Sequence, residues 1–458
     1  MRAWHQDLLA LHGQPGAELY HSGWRFEGMK TLGATKPGGD AIDEIVAAKH
    51  NGVSPYVLAC RNLSCIRFNQ RSIRRLRQQG VRNAFLDSRY PPAGSNHQKF
   101  SVMKSGNSAS AVLGSLDIAK TRWDSSEHLA VNPDRDPRYG MQTHEAAVRI
   151  EGPAVADVEK AFRARWNDPS RTLGLLPPFS RPPITTPVSA IPGGGTQSVQ
   201  VLQTHGITAA TRGYSWSPAG EFTVWASHLN ALKRAASYIY IEDQYFLPFD
   251  WPPCFSRTGL PRDTDVVYQL GEALKRGVNV IVVTTSTAIT TLWGFHQKYH
   301  RDVGVNYLRS VAAAGSPGSL VAASLQCEGS DIYVHSKLMI VDDEFVSVGS
   351  ANIAQRSMAI DSELQVGIVD EANAFAREIR KRLWSEHTGL HPDRLDDPEL
   401  AFDLFQTCAE ASLGHLKPYP VDPLSTFPPT ASSRPPHPGH ASIIRRGVDP
   451  YAGPRGLR

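Results

Sequence analysis

The sequence predicts an α/β protein built from two similar halves. Along most of its 458 residues, apolar strand-like runs alternate with amphipathic stretches, which is typical of strands and helices packed in layers. One short pattern also occurs twice: a His and a Lys two positions apart, then a Gly-Ser pair after a hydrophobic stretch. The first copy begins at His97 and the second at His335. This repetition indicates one site assembled from two halves.

The first half alternates helix and strand patterns up to a longer helix. We expect helices over 41–50 and 67–80, and strands over 55–60, 82–87, 98–103 and 145–150. A further helix is predicted to begin at Pro153, because proline is favoured in the first helical turn and the apolar residues that follow recur with helical spacing.

The second half repeats this order of elements. The patterns predict helices over 224–236, 264–276, 295–313 and 371–384. They predict strands over 237–242, 278–284, 319–325, 332–341, 345–349 and 363–369.

Changes in composition divide the chain into four parts. Residues 176–197 are rich in Pro and Gly, which cannot continue a helix or a central strand, so they are expected to link a first half (1–175) to a second half (198–416). Residues 417–458 are rich in proline and poor in apolar runs, which predicts a flexible basic tail.

Charge, cysteine content and hydropathy limit the possible locations and partners. The net charge of +4 permits an anionic partner without requiring one. The five cysteines show no metal-ligand spacing and are read as free thiols, which favours a reducing compartment. No signal peptide and no membrane-spanning run is seen, so we expect a cytoplasmic protein; if its substrate is a lipid, the protein must meet that substrate at the membrane surface. One chain holds both motifs, which predicts a monomer.

The repeated pattern suits the cleavage of a phosphodiester without a metal. Lysines neutralise the phosphate, one imidazole attacks phosphorus, and a second imidazole exchanges protons with the leaving and entering groups. Because residues i and i+2 of a strand share a face, His335 and Lys337 are expected to project together, as are His97 and Lys99. Each imidazole also needs a carboxylate to orient it, for which Glu363 is a candidate in the second half. In the first half the candidates are Asp124 and Glu127.

Other polar residues have simpler interpretations. A single His-x-Lys pair is usually an ordinary surface feature, and only the second copy makes a site the better interpretation. His128, His144 and His300 lack such a partner and are assigned structural roles. The arginine stripe of the helix predicted over 67–80 is assigned to a solvated face, with contact to phosphate or lipid headgroups as the alternative; its members are Arg71, Arg74, Arg75 and Arg77.

At these residues the chain resembles the phospholipase D superfamily, whose signature is His-x-Lys-x4-Asp with a downstream Gly-Ser-x-Asn. The segment HSKLMIVDDEFVSVGSAN, which begins at His335, matches this signature fully. GSLDIAKTRWDSSEH, YIYIEDQYF and SANIAQRSMAIDSEL are similar to further segments of true phospholipases D. The resemblance extends from about residue 22 to about residue 395 and is strongest to the shorter bacterial type.

The resemblance implies a fold and a set of site residues. Two similar α/β sandwich halves would pack about a pseudo-two-fold axis, with the active site at their interface and no metal or other cofactor. His97 would be the nucleophile and His335 the general acid and base, with Glu363 orienting His335 and Asp124 orienting His97. The implied catalytic residues are His97, Lys99, His335, Lys337, Asn352, Glu363 and Asp124. The implied substrate-binding residues are Gln244, Tyr245, Ser115, Asp117 and Ser350.

The first motif departs from the family pattern. Lys104 stands where the signature has Asp, whereas the second motif has the expected Asp342. Asp117 occupies the position that corresponds to Asn352, and Glu145 replaces a usual Asp after His144. Since both His-Lys pairs remain, the chemistry is expected to survive these changes.

The leading hypothesis is hydrolysis of a glycerophospholipid such as phosphatidylcholine to phosphatidic acid, with headgroup exchange when an alcohol replaces water. A cardiolipin or phosphatidylserine synthase is the first alternative, although the lack of a membrane-spanning segment disfavours the former. A nuclease is the second alternative, which the weak net charge disfavours. A membrane-binding module without turnover is the non-enzymatic alternative, and Lys104 is the only feature that favours it.

Overall fold

The fold comes from a computed structural model. It describes residues 1–30, 39–91, 94–136, 138, 140–168, 181–188, 190–206, 214–248, 264–286 and 292–420, with the backbone alone for 292–296. Among these residues no helix is long and apolar enough to cross a lipid bilayer. The α-helices are α1 (Arg2–Ala10), α2 (Ala41–His50), α3 (Ile66–Gln78), α4 (Ala154–Asn167), α5 (Thr223–Arg234), α6 (Val266–Lys275), α7 (Leu292–Ala313), α8 (Gln355–Ala359), α9 (Ala374–Thr388) and α10 (Pro398–Glu410).

The strands form two sheets. Those of the first half are β1 (Glu18–Gly23), β2 (Ser54–Cys60), β3 (Ala84–Asp87), β4 (Phe100–Ser105), β5 (Ser108–Gly114), β6 (Thr143–His144) and β7 (Ala147–Glu151). Those that follow are β8 (Gln197–His205), β9 (Glu221–Phe222), β10 (Tyr238–Asp243), β11 (Asn279–Thr284), β12 (Leu320–Cys327), β13 (Ser330–Val334), β14 (Lys337–Val341), β15 (Phe345–Gly349), β16 (Glu363–Asp370) and β17 (Leu416–Pro418).

The two sheets repeat one topology. The first has the order β3-β2-β1-β4-β5-β7, and the second contains the matching run β12-β11-β10-β14-β15-β16. In both, the three strands at one side are parallel and the remaining pairs are antiparallel. The predicted α/β class with two similar halves is therefore confirmed, and each His-Lys pair lies at the start of the same strand of its sheet.

The halves share one apolar core. The largest cluster of buried apolar residues contains Phe162 and Trp166 of α4 together with Val366 of β16 and Trp384 of α9. Strand β6 of the first half adds to the second sheet by pairing in parallel with β13. The described part of the predicted linker packs on the first half, since Ile184 is buried and Pro182 O accepts the indole N–H of Trp166. The boundaries of the two halves remain a prediction.

Most predicted elements are present, with ends shifted by a few residues. The predicted strand over 332–341 is wrong as a single element, because β13 ends at Val334 and β14 begins at Lys337. The break arises because β13 pairs with β12 and β6, whereas β14 pairs with β10 and β15. His97 and Lys99 likewise precede β4, so the shared-face argument for a strand does not apply to either pair.

The first residues of the predicted tail belong to the fold, so the prediction of a flexible tail is wrong for residues 417–419. Lys417 and Pro418 belong to β17, which pairs with β12, and Tyr419 is buried with its hydroxyl donating to Asp302. Residues 421–458 lie outside the described residues, as does most of the loop over 248–262.

The two motifs diverge at Asp342 and Lys104, and both residues support the sheet. The Asp342 carboxylate accepts the backbone N–H groups of 236, 237 and 238 at 2.7–2.9 Å, which fixes the start of β10. In the first half, Lys104 Nζ lies 2.8 Å from Glu159 and 3.2 Å from Glu18, at the start of β1. The backbone contacts that Asp342 makes in the second half are thus replaced in the first half by the buried ion pairs of Lys104. Because both residues support strands, the presence of Lys104 removes no group from the site.

We predict that Lys104→Met lowers the free energy of unfolding by about 3 kcal/mol. The substitution leaves the buried Glu18 and Glu159 carboxylates with one cation fewer, and an uncompensated buried charge is costly. Denaturant unfolding measures the effect. The matched control Lys160→Met removes an exposed lysine paired with Asp157 and should cost less than about 1 kcal/mol. Equal effects of the two substitutions would contradict this role for Lys104.

Candidate active site

Each His-Lys pair is held by backbone of the opposite half. The His97 N–H donates to Ser362 O at 2.9 Å, and the Ser362 N–H donates to Ser95 O at 2.9 Å. In the second half, the His335 N–H donates to His144 O at 2.8 Å. Both histidines therefore lie where the two halves meet, and a carboxylate follows each of these backbone partners in the sequence.

The carboxylates cross between the halves. Both oxygens of Glu363 lie 3.0 Å from Nδ1 of His97. Glu145 Oε2 lies 2.9 Å from Nδ1 of His335. The expectation that Glu363 orients His335 is therefore wrong, because the backbone pairing of Ser362 places the next residue beside His97. Since a carboxylate only accepts, each bond fixes the tautomer with the proton on Nδ1 and leaves Nε2 for a substrate.

The serines of the two Gly-Ser pairs hold these carboxylates. Ser115 Oγ donates to Glu145 at 2.5 Å, and Ser350 Oγ donates to Glu363 at 2.6 Å. Each serine belongs to the same half as its carboxylate. Both serines were expected to contact the substrate, but the structure places them behind the histidines. There each serine orients the carboxylate that in turn orients an imidazole.

Asp124 does not contact His97. Its oxygens accept from Arg135 at 2.6 Å and from the Thr143 N–H at 2.7 Å, and one lies 3.0 Å from Nδ1 of His128. The proposed role of Asp124 is therefore wrong, because its loop leads into β6 and the second sheet. Glu127 is not a partner of His97 either, since Glu363 occupies that position.

The two lysines are placed alike. Lys99 Nζ donates to His97 O at 2.8 Å, and Lys337 Nζ donates to His335 O at 2.6 Å. Lys337 also donates to Gln244 Oε1 at 2.9 Å, whereas Lys99 Nζ lies 3.8 Å from Asp117 Oδ1. Both side chains are buried, so their charges act on the site with little screening by solvent.

The titrating groups of the two halves affect one another. Burial, with Lys99 and Lys337, holds the pKa of His97 well below its usual range. Burial, with Lys337, Arg122 and Lys99, does the same to the pKa of His335. Each imidazole is thus influenced by lysines from both motifs, as expected if the four side chains converge on one site.

The supporting carboxyls and one lysine are also shifted. Burial raises the pKa of Glu363 to about 7 and that of Glu145 to about 7. Burial lowers the pKa of Lys337 to about 7, although Glu145 opposes the shift. In the free site both histidines are therefore held in their uncharged forms, and Lys337 carries only part of its charge near neutral pH. An anion bound between the lysines would favour the charged forms of all three side chains.

Asn352 and Asp117 occupy corresponding places after the two Gly-Ser pairs. Asn352 is 1% exposed, and neither atom of its amide has a hydrogen-bond partner among the described residues. An unsatisfied buried amide is costly, so this group is suited to a polar ligand. Asp117 Oδ1 instead accepts the backbone N–H of Arg25 at 2.9 Å, which gives Asp117 a structural contact that Asn352 lacks.

Gln244 and Tyr245 follow β10 and differ in their contacts. Gln244 is buried and bridges Lys337 to the Tyr333 hydroxyl, which lies 2.6 Å from its Nε2. Tyr245 is half-buried, and its carbonyl accepts from Arg301 at 2.9 Å. Gln244 therefore belongs to the site through Lys337, whereas the Tyr245 side chain forms a hydrogen bond with Gln297.

Two residues near the histidines carried no signal in the sequence. The indole of Trp24 contacts the His97 ring edge-on at 5.9 Å between centroids, and Lys99 Nζ lies 5.7 Å from the Trp24 ring. The guanidinium of Arg122 lies 5.5 Å from the Tyr333 ring centroid, and its charge contributes to the low pKa of His335. Trp24 follows β1 as Gln244 follows β10, but neither Trp24 nor Arg122 recurs as the same residue type in the other repeat, so repetition could not reveal them.

A buried cluster of histidines and carboxylates lies behind His335. His144 Nε2 lies 2.9 Å from Glu242, and its Nδ1 lies 3.1 Å from Glu386. His387 Nε2 contacts the other oxygen of Glu242 at 2.9 Å. Two sets of three ligand atoms here are close enough to hold a metal ion: those of His128, His144 and Glu386, and those of His144, Glu242 and His387. Their contacts are also those of a hydrogen-bonded ionic network that supports β6, the strand directly before Glu145.

We predict that His144→Gln destabilises the protein most at about pH 5.5, by about 3 kcal/mol. Burial opposes the charged form of His144, but Glu242 and Glu386 outweigh it and raise its pKa well above the usual value. The charged form therefore contributes fully below the unfolded pKa of about 6.5, and its contribution falls as pH rises through the folded value. Denaturant unfolding between about pH 5 and 9 measures this trend.

The matched control for His144→Gln is His391→Gln. His391 is exposed on the surface and pairs with the neighbouring Asp393. Its substitution should leave the free energy of unfolding within about 0.5 kcal/mol of the unaltered protein at every pH. A His144→Gln effect that grows as pH rises would contradict a buried imidazolium.

Comparison with known proteins identifies relatives of the chain. The sequence model of the family described as Phospholipase D matches residues 310–428. The chain is 27% identical over 412 residues to phospholipase D alpha 1 of Carica papaya, covering 66% of this chain and 50% of that protein. It is 29% identical over 301 residues to phospholipase D A of Dictyostelium discoideum, covering 57% and 22%. The chain thus spans about half, or less, of the length of these curated relatives.

One solved structure shows the same fold over nearly the whole chain. It is a phosphatidylserine synthase of Haemophilus influenzae Rd KW20, with a TM-score of 0.52 and 15% sequence identity. The likeness covers 90% of this chain and 91% of that one.

Proposed function

We propose that this chain, which belongs to the phospholipase D superfamily, hydrolyses the distal phosphodiester of glycerophospholipids such as phosphatidylcholine. The products are phosphatidic acid and the headgroup alcohol. The observation that carries the proposal is the pair of crossed contacts, His97 with Glu363 and His335 with Glu145, beside two buried lysines. This arrangement supplies one imidazole as nucleophile, a second as general acid and base, and two lysines that neutralise the phosphate.

The first step forms a phosphoryl-histidine. Nε2 of His97 attacks phosphorus, while Glu363 stabilises the positive charge that develops on the imidazole. The bond from phosphorus to the headgroup oxygen breaks, and His335 gives this oxygen its proton. The negative charge of a phosphate bound between Lys99 and Lys337 offsets the lysine charges that lower the pKa of His335. The pKa of His335 therefore rises above its value in the free site.

The second step releases the product. His335 accepts a proton from water, the resulting hydroxide attacks phosphorus, and the bond to Nε2 of His97 breaks. Phosphatidic acid leaves and both histidines return to their starting forms. An alcohol in place of water gives headgroup exchange by the same route.

Three further groups would bind the phosphoryl oxygens. Lys99 and Lys337 are buried cations on either side, and the free amide of Asn352 offers a donor. Arg122 adds a cation beside His335, where the charge of the leaving oxygen develops. Gln244 holds Lys337 in place.

The test of this function is product analysis with purified protein. Phosphatidylcholine vesicles should yield phosphatidic acid and choline in equal amounts, and His97→Ala should lower the rate by at least about 1,000-fold. The matched control His391→Ala, a change at an exposed histidine, should keep the rate within about twofold.

Other substrates in the same assay separate the alternatives. Phosphatidylglycerol alone tests for cardiolipin synthesis, cytidine-diphosphate diacylglycerol with serine tests for phosphatidylserine synthesis, and plasmid DNA tests for a nuclease. Cleavage of DNA, or turnover only with the cytidine nucleotide, would overturn the proposal. Vesicle binding without any turnover would favour the non-enzymatic alternative.

A substrate with p-nitrophenol as leaving group separates the roles of the crossed pairs. This phenolate leaves without a proton, so the first step no longer needs His335. We predict that His335→Ala and Glu145→Gln release one equivalent of p-nitrophenol in a burst and then stall, with the phosphatidyl group bound to His97. His97→Ala and Glu363→Gln should abolish or slow the burst itself, by about 100-fold or more. Rapid-mixing absorbance and mass spectrometry measure these outcomes.

The reverse pattern would assign the nucleophile to His335. A burst retained in His97→Ala, with the phosphatidyl group on His335, would exchange the roles of the two histidines while leaving the reaction class intact.

A further inference from the structure

The positive charge of the chain is concentrated in one segment. Residues 51–86 contain seven arginines and no Asp, Glu or Lys, whereas the whole chain has a net charge of only +4. The remainder of the chain is therefore net acidic. This segment includes β2, the loop over 61–65 and helix α3.

The arginines of α3 divide by contact. Arg75 donates to Asp40 and Asp43 of the α2 start at 2.5–2.6 Å, and Arg77 donates to Ala84 O at 2.8 Å. These two secure the helix. Arg67, Arg71 and Arg74 are exposed and have no acidic partner among the residues that the structure describes. Their spacing of i, i+4 and i+7 places them on one face of the helix.

An exposed apolar residue adjoins this face. Leu63 is 91% exposed and lies in the loop directly before α3. Large apolar side chains with this exposure are uncommon in the described part of the chain, and this one lies one turn from Arg67. An apolar tip beside free cations is the combination that favours the boundary between the headgroups and acyl chains of an anionic bilayer.

The same surface adjoins the active site. Asn62 Nδ2 donates to Gly94 O at 3.2 Å, three residues before His97. Asn69 of α3 donates to Trp24 O at 2.8 Å, and Trp24 contacts the His97 ring. The guanidinium of Arg25 lies 4.0 Å from the ring centroid of Phe68. The Leu63 loop and the first turn of α3 therefore lie beside the segments that carry His97.

We propose that Leu63 and the face formed by Arg67, Arg71 and Arg74 bind the surface of an anionic phospholipid bilayer and thereby bring the site to its substrate. The guanidiniums bind lipid phosphates and Leu63 enters the acyl boundary. The choice of a lipid partner rests on the proposed function, whose product, phosphatidic acid, is itself anionic. Product would then increase the binding of the enzyme to the membrane on which it acts.

The test measures vesicle binding separately from turnover. His97→Ala protein is sedimented with phosphatidylcholine vesicles that either lack or contain a minor fraction of phosphatidic acid. The expected result is tighter binding to the anionic vesicles, and weaker binding as salt is raised. Adding Arg67→Glu, Arg71→Glu and Arg74→Glu should weaken binding to them by about 100-fold. Adding Leu63→Ser alone should weaken it several-fold.

A charge-matched variant provides the control. Lys160→Glu, Lys275→Glu and Arg382→Glu reverse three exposed cations on α4, α6 and α9, and should change binding by less than about threefold. Circular dichroism verifies that both triple variants are folded. Equal losses in the two variants, or equal binding to neutral and anionic vesicles, would overturn the proposal. Tighter binding to a single-stranded oligonucleotide than to the anionic vesicles would assign the face to nucleic acid instead.

A short-chain phosphatidylcholine kept below its micelle concentration separates this proposal from the catalytic one. With intact His97, the α3 triple variant should hydrolyse this monomeric substrate within about twofold of the unaltered rate, but should lose most of its activity on anionic vesicles. Loss of both activities would overturn the docking role. Failure of the unaltered protein to hydrolyse either substrate would overturn the proposed function without affecting the binding result.

Discussion

The crossed contact between each imidazole and a carboxylate of the other half is the interaction on which the site depends. Burial and the lysines of both motifs disfavour the charged form of each imidazole. Glu363 and Glu145 supply the opposing charge from the far side of the interface. The halves must therefore pack together before either histidine has a defined tautomer, and the shared apolar core provides that packing.

Support for this contact extends behind the reacting groups. Ser115 and Ser350 hold the two carboxylates, and the His144 cluster holds the backbone that leads to Glu145. Lys104 performs a similar task farther away, at the start of β1. Lys104 departs from the repeated motif, and this departure alters how the framework is stabilised rather than the groups that contact the two histidines.

The sequence was sufficient to predict the layers, the duplication and the four His and Lys side chains, because alternating hydrophobicity and a repeated motif are local signals. It could not predict which carboxylate contacts which histidine. That depends on the backbone pairing of Ser362 with the segment before His97, a contact between distant residues with no local pattern. Asp124 was preferred for His97 from its position in the first half, but its loop joins the second sheet. Arg122 and Trp24 lack a repeat, and the strand break at His335 depends on pairing with β6.

The exchange of carboxylates has an evolutionary consequence for a duplicated chain. Neither repeat is self-sufficient, since His97 relies on position 363 and His335 on position 145. A substitution of either histidine or its carboxylate therefore removes a contact made by the other repeat, and a compensating substitution must arise in that other repeat. The two repeats can diverge in their supporting framework, as at Lys104 and Asp342. At the two histidines and their two carboxylates, by contrast, a change in one repeat is tolerated only together with a change in the other.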